Sequence, residues 1–488
     1  MRRLPAQIAN PGLAALIQGG GFRSLERFAQ IVNARGWQLH GLKLAYDHVT
    51  VKRWLAGSVC QNADVVAAVV SEAWGVPVPV HVLWPELRDG AGPVPAHLQV
   101  WVANRTLDDL GAFIGSDMLT RREVLAGSVA TAAGDALVNP LSRWLTMPSV
   151  GLAPRARQAQ DARRIGVGDV ESVEQATRRF AGLDAEIGGG LSREAAVGQL
   201  KYAVDLVRYA SYSDAVGNRL LAAVAGLAGL VGWMCHDCGM PGPAQRYLTY
   251  GLQAARESTD PRAALLVIRI LADMAQQARR MGQPATAVRL IDLALSQLPQ
   301  DRRRFNVIRA MLSGQRAFAL AHVGPSTLAE VRSAVGLAAD LHDSASIDER
   351  AVVGGAVHRS LDLSRAELAA TTASAYLVLA QEDRRLASEA VAHTEYALAH
   401  SPRGQGRNRT LSQIRLARAR FVAGEPDQAC ADGDEALAQA GSTTSWMVTS
   451  RLRELYLDTE PFREQPLVRE LRDRLRTVVR GPGCSGDM

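Results

Sequence analysis

The chain has 488 residues, 47% of them hydrophobic and 5% aromatic, with a formal net charge of +6. That length exceeds one simple core, so two or more units are expected. The apolar share is ordinary for a soluble protein, and five scattered cysteines make no disulfide framework, which points to a reducing cytoplasm. Ala and Leu in excess over β-branched and aromatic runs predict helices throughout.

Residues 1–10 read as a short leader without the apolar core of a signal peptide. Pro11 to Gly20 predicts a first short helix, with Leu13, Leu16 and Ile17 facing inward. Residues 24–35 predict a second, with Ser24 as N-cap and Leu25, Phe28, Ala29 and Val32 on one face. Asp47 opens a third over 47–56, which Gly57 stops. Its Val51, Trp54 and Leu55 share one side, and His48, Lys52 and Arg53 point away from it. Asn62 to Trp74 predicts a fourth, apolar at Val65, Val66, Val69 and Val70. Pro77, Pro79 and Pro85 end this bundle.

Charge concentrates in the same stretch. Between Gly20 and Cys60 stand Arg23, Arg27, Arg35, Lys43, Lys52 and Arg53, against Glu26 and Asp47. Two of the chain's three lysines, Lys43 and Lys52, lie there. A local excess of this kind suits a polyanion. Two short helices, the second basic on its exposed face, predict a helix-turn-helix reader of duplex DNA. The expected contacts are His48, Val49, Thr50, Lys52 and Arg53, with Lys43 on the turn. Arg and Lys bond guanine or phosphate, and Val49 suits a thymine methyl. Fourteen residues separate Val32 from Asp47, against the roughly 3–4 of a helix-turn-helix connection. The insert Gly36 to Leu44 is therefore expected to loop out or cross the bundle, with His40 and Lys43 along the phosphates.

The middle of the chain is less regular. Residues 104–115 and 119–137 predict helices, and 151–168 an exposed basic linker. Thr120 to Leu125 mimics a twin-arginine export signal but lies deep in the chain, so a cytoplasmic location without a membrane span is expected. The longest uncharged run, Leu220 to Cys235, is shorter than the roughly 20 residues a span needs and reads as a buried helix.

From about residue 170 the sequence repeats. Gly232, Gly239, Ala244 and Gly251 are followed at the same spacings by Ala275, Gly282, Ala287 and Ala294. Ala317, Gly324, Ala329 and Gly336 make a third set, and Ala417, Gly424, Ala429 and Ala436 a fourth. A weaker copy without the glycine stands at Ala390 and Ala397. Small residues at these places let paired helices approach closely, as in tetratricopeptide (TPR) arrays. The reading is a curved stack in which each pair buries its face against its neighbours, leaving a concave groove for a peptide, small molecule or protein. Residues 463–480 predict an amphipathic helix that caps the stack or dimerises, and 481–488 a disordered tail.

No catalytic constellation stands out: P-loop, HExxH and GxSxG motifs are missing. Cys235-His236-Asp237-Cys238 lacks the second ligand pair a zinc site needs, and reads as ordinary helix cysteines. No cofactor, metal or enzymatic activity is expected.

The run Tyr46 to Gly57, after Ala9-Asn10, Leu13 and Ile17, resembles the helix-turn-helix of actinobacterial XRE-like regulators with a TPR-like C-terminal domain. Arg121-Arg122-Glu123-Val124-Leu125 is similar to a segment between the two parts of that family. The resemblance implies an all-α chain, a helix-turn-helix bundle followed by a TPR-like α-solenoid. It also implies a dimeric repressor of sporulation and antibiotic production, with base contacts on His48, Val49, Lys52 and Arg53. The expected domains are a DNA-binding domain over 1–85, connecting helices and basic linker over 86–168, and the array over 169–480. The alternative is an interaction adaptor whose N-terminal bundle binds protein rather than DNA.

Overall fold

A computed structural model describes residues 10, 13–14, 16–17, 22, 24–40, 44–58, 60, 62–74, 83–84, 98, 103–119, 131–146, 163–190, 192–298, 305–345, 364–401, 406–441 and 445–479. The protein is all-α. Its described residues form no strand, only an isolated parallel bridge between Arg164 and Ser211. Two compact units result: Met1–Gln99 with Leu119–Leu141, and Val100–Met118 with Ser142–Met488.

The first unit contains α1 (Leu25–His40), α2 (His48–Leu55) and α3 (Ala63–Trp74). The Ser24 hydroxyl accepts from the Arg27 amide at 3.1 Å and starts α1. Phe28, Val32, Val51, Trp54, Leu55 and Val66 fill one core, joined by Leu13 and Ile17 of the first helical residues. α1 does not stop at residue 35 but runs to His40. Gly36 explains the difference: a Cβ there would collide with the Leu44 side chain, so its absence admits Leu44 beside an unbroken helix. The connection to α2 is therefore 41–47, half the expected length. Lys43 lies outside the described residues, as does the twin-arginine-like segment 120–125.

In the chain's middle, α4 (Ala103–Leu119) matches the expected helix, whereas α5 (Gly134–Thr146) begins near the end of the stretch expected to be helical over 119–137. α4 belongs to the second unit. Its buried Asp117 accepts from Arg193 Nη2 at 2.6 Å and from the Tyr247 hydroxyl at 2.5 Å. Arg193 starts α7 (Arg193–Tyr209), which follows α6 (Val167–Ile187).

Six helical hairpins follow. They are α8 (Asp214–Asp237) with α9 (Pro241–Glu257), α10 (Ala263–Arg280) with α11 (Pro284–Ser296), and α12 (Asn306–Ala321) with α13 (Leu328–Asp343). Then come α14 (Arg365–Ala380) with α15 (Ala387–His400), α16 (Gly406–Ala423) with α17 (Pro426–Ala440), and α18 (Trp446–Asp458) with α19 (Pro466–Val479). First helices of successive hairpins also pack on one another. Gly239, Gly282, Gly324 and Gly424 turn four hairpins with φ of 72°, 72°, 143° and 88°, a region that side chains disfavour. The weak copy is a full hairpin, α14 and α15, turned at Asp383 instead. α8 is the one described helix long and apolar enough to cross a membrane, and most of it is buried in the array. α19 buries Val468, Leu471 and Leu475 against the array's end, the capping role rather than a free dimer face.

The array departs from neighbour-only stacking, because its ends meet. α6 packs on both α8 and α16. At the C-terminus of α8 the fully buried Asp237 accepts from the Gly189 amide at 3.0 Å, from Ser445 Oγ at 2.6 Å and from Arg407 Nη1 at 3.3 Å. Arg407 also faces Asp184 at 3.1 Å. Asp237, a member of the Cys-His-Asp-Cys run, is thus a clasp between the first hairpin and the fifth and sixth. Burial pushes the neighbouring Cys235 thiol up to about 12, so it is inert as a nucleophile.

Candidate nucleic-acid interface

α2 is held from three sides. Asp47 caps it, accepting from the Thr50 amide and hydroxyl, each at 2.8 Å. These two bonds hold the Asp47 carboxyl below the usual carboxylate range. Tyr46 then fixes the approach to the helix. Its backbone exchanges two hydrogen bonds with the Asn33 side chain, at 2.7 and 2.9 Å, and its hydroxyl accepts from Asn62 Nδ2 at 2.7 Å. Its ring meets Trp54 edge-on, 4.9 Å between centroids, and Trp54 meets Trp84 likewise at 6.2 Å. At the other end Asn10 joins the helix to the bundle. Its amide donates to the Leu55 carbonyl at 3.0 Å, its Oδ1 caps Leu13 at 3.0 Å, and its Nδ2 donates to the Leu83 carbonyl at 2.5 Å.

Val51, Trp54 and Leu55 are therefore locked inward. Helical geometry then fixes what faces out. Val49 is 42% exposed, Arg53 is exposed one turn further along, and Lys52 is half-buried beside them. Neither cation forms an ion pair with a described residue. His48 is exposed but committed: its amide and its Nδ1 both lie 3.1 Å from Glu26 Oε2 on α1. Thr50 is half-buried, its hydroxyl given to the cap. Of the six expected contacts, the structure brings His48, Val49, Lys52 and Arg53 to one outward face. Thr50 sits at its margin, and Lys43 is among the residues not described.

Other cations divide in the same way. Arg35 is ion-paired with Glu72 of α3, so its charge serves the bundle. Arg27 on α1 is exposed, and among the described residues its side chain has only a long 3.4 Å contact, to Gln30 Oε1. Sequence reasoning left Arg27 out of the contact set, although its place in the basic stretch and off the Phe28 and Val32 face was legible. Glu26 and Asn33 were also passed over. Their partners are 22 and 13 residues away, beyond any local pattern.

Residues 13–83 match the family model described as the SP15 N-terminal domain. The match covers the bundle that carries α1, α2 and α3 and leaves the helical array unmatched. No curated protein matches the chain. No solved structure matches it either.

Proposed function

We propose that the chain is a sequence-specific DNA-binding regulator of transcription whose helical array senses a ligand or partner. The observation that carries this reading is α2. One side is locked into an aromatic core, and the other presents Val49, Lys52 and Arg53 with both cations uncommitted to any described carboxylate. A short helix with a rigid back and a basic, partly apolar front is what major-groove readout requires. Two copies in a homodimer place two such helices in successive major grooves. Repression of developmental or secondary-metabolism genes in the cytoplasm is the physiological form we assign to this activity.

The test is retention of genomic DNA fragments by the full-length chain, with Lys52→Ala/Arg53→Ala beside the parent. The variant loses sequence-selective retention, and the parent's affinity falls steeply as salt rises. Retention of the same fragments with equal affinity by the double variant overturns the proposal and favours a protein-binding bundle.

A further inference from the structure

Closure of the array leaves on its concave side a lumen of about 510 Å³, open to solvent at part of its boundary and walled mainly by the first helices of all six hairpins. That volume lies within the range of small-molecule sites. Five arginines line it: Arg279, Arg280, Arg415, Arg418 and Arg451. Among the described residues only two carboxylates do, Glu367 and Glu454. Arg418 and Arg451 are both paired to Glu454, and Arg418 also to Asp458. Arg279, Arg280 and Arg415 form no ion pair with any described residue.

Arg279 lies over the Phe318 ring, 3.7 Å from its centroid, and donates to His322 Nε2 at 3.2 Å. It is 7% exposed. Among the described residues Arg280 Nε is buried without a hydrogen-bond partner, and so is the Oε1 of Gln315 on the neighbouring α12. Burial, then Arg280 and Arg451 nearby, pushes the Arg279 guanidinium well below its ordinary value. Burial with Arg451 takes Arg280 down to about 9. Guanidinium does not give up its proton in proteins, so the folded array keeps a charge that its surroundings disfavour. An anion placed among these groups removes that cost.

We propose that this lumen binds a small phosphate-bearing anion, held by Arg279, Arg280 and Arg415. Glu454 and Asp458 answer Arg418 and Arg451, which leaves Glu367 against Arg279, Arg280 and Arg415. The remaining excess of two positive charges exceeds what one carboxylate neutralises and matches a phosphate ester. Trp233, Leu377, Ile414 and Met447 supply an apolar wall for an organic body, and Gln315 Oε1 an acceptor for its donor group. The proposal gives a chemistry to the ligand that the sensing part of the functional reading requires, and it does not depend on DNA binding.

Thermal unfolding of the full-length chain is compared in inorganic pyrophosphate, in adenosine diphosphate and in sodium chloride of equal ionic strength. Saturating phosphate-bearing anion raises the midpoint by about 5 °C over chloride. A larger shift with the nucleotide identifies an esterified ligand, and equal shifts identify a free polyphosphate anion. Arg280→Gln and Arg415→Gln, on different helices, each weaken calorimetric pyrophosphate binding about tenfold. Arg280→Gln also raises the unliganded midpoint, and Arg385→Gln on the exposed surface changes neither. No shift beyond chloride, or equal binding by the parent and both lumen variants, overturns the proposal. The assay contains no DNA, so its failure leaves the N-terminal reading standing, and loss of DNA retention leaves this one standing.

Discussion

The two units use positive charge in opposite ways. In the first, Val49, Lys52 and Arg53 stand on the outer face of α2, and the core behind them is apolar and aromatic. In the second, several arginines turn inward. Arg193 and Arg407 neutralise buried aspartates, and Arg279 and Arg280 line a lumen. An exposed cation contributes little to stability and is free to meet a partner. A buried, paired one is structural, because removing it strands a charge in a low-dielectric interior. Position relative to the core, rather than residue type, thus separates the candidate reader from its support.

That contrast is sharpest where the clasp closes the array. Arg407→Ala leaves Asp237 and Asp184 buried without their cation, which costs about 3–5 kcal/mol, measured by denaturant unfolding. An array that kept its stability would mean the clasp does not hold the ends together. In the first unit the counterpart is apolar. Trp54→Ala removes the ring between Tyr46 and Trp84 and costs about 3–5 kcal/mol, read as loss of the tertiary circular dichroism of those aromatics.

Asn33→Ala is gentler. It breaks two hydrogen bonds to the Tyr46 backbone and leaves those groups half-buried, at a cost of about 1–3 kcal/mol. It also weakens DNA retention by loosening the approach to α2, whereas a free choice of α2 orientation would leave retention unchanged. Smallest in stability is Lys52→Ala/Arg53→Ala, within about ±0.5 kcal/mol of the parent. A large destabilisation there would show that these side chains belong to the bundle.

The same contrast explains what was legible in the sequence. The repeat was visible because four of the hairpin turns take positive φ and carry glycine there, at Gly239, Gly282, Gly324 and Gly424. The outward face of α2 was visible because helical periodicity separates Val51, Trp54 and Leu55 from Val49, Lys52 and Arg53. The reach of α1 to His40 was hidden, since Gly36 reads as a breaker until Leu44 is seen occupying its missing Cβ. Array closure was hidden as well. Asp237 meets Ser445 across 208 residues and Arg407 across 170, and no periodicity records such distances. The lumen followed from that closure, so its arginines read only as scattered charge along amphipathic helices.

The most direct test of the central claim is a side-by-side titration of a selected genomic DNA fragment with the parent chain and the Lys52→Ala/Arg53→Ala variant, at matched salt and with unfolding midpoints recorded. Equal midpoints are expected, with a loss of at least about tenfold in affinity, from the roughly 1–3 kcal/mol that each base- or phosphate-contacting cation supplies. Equal affinity of the two folded proteins would contradict the claim.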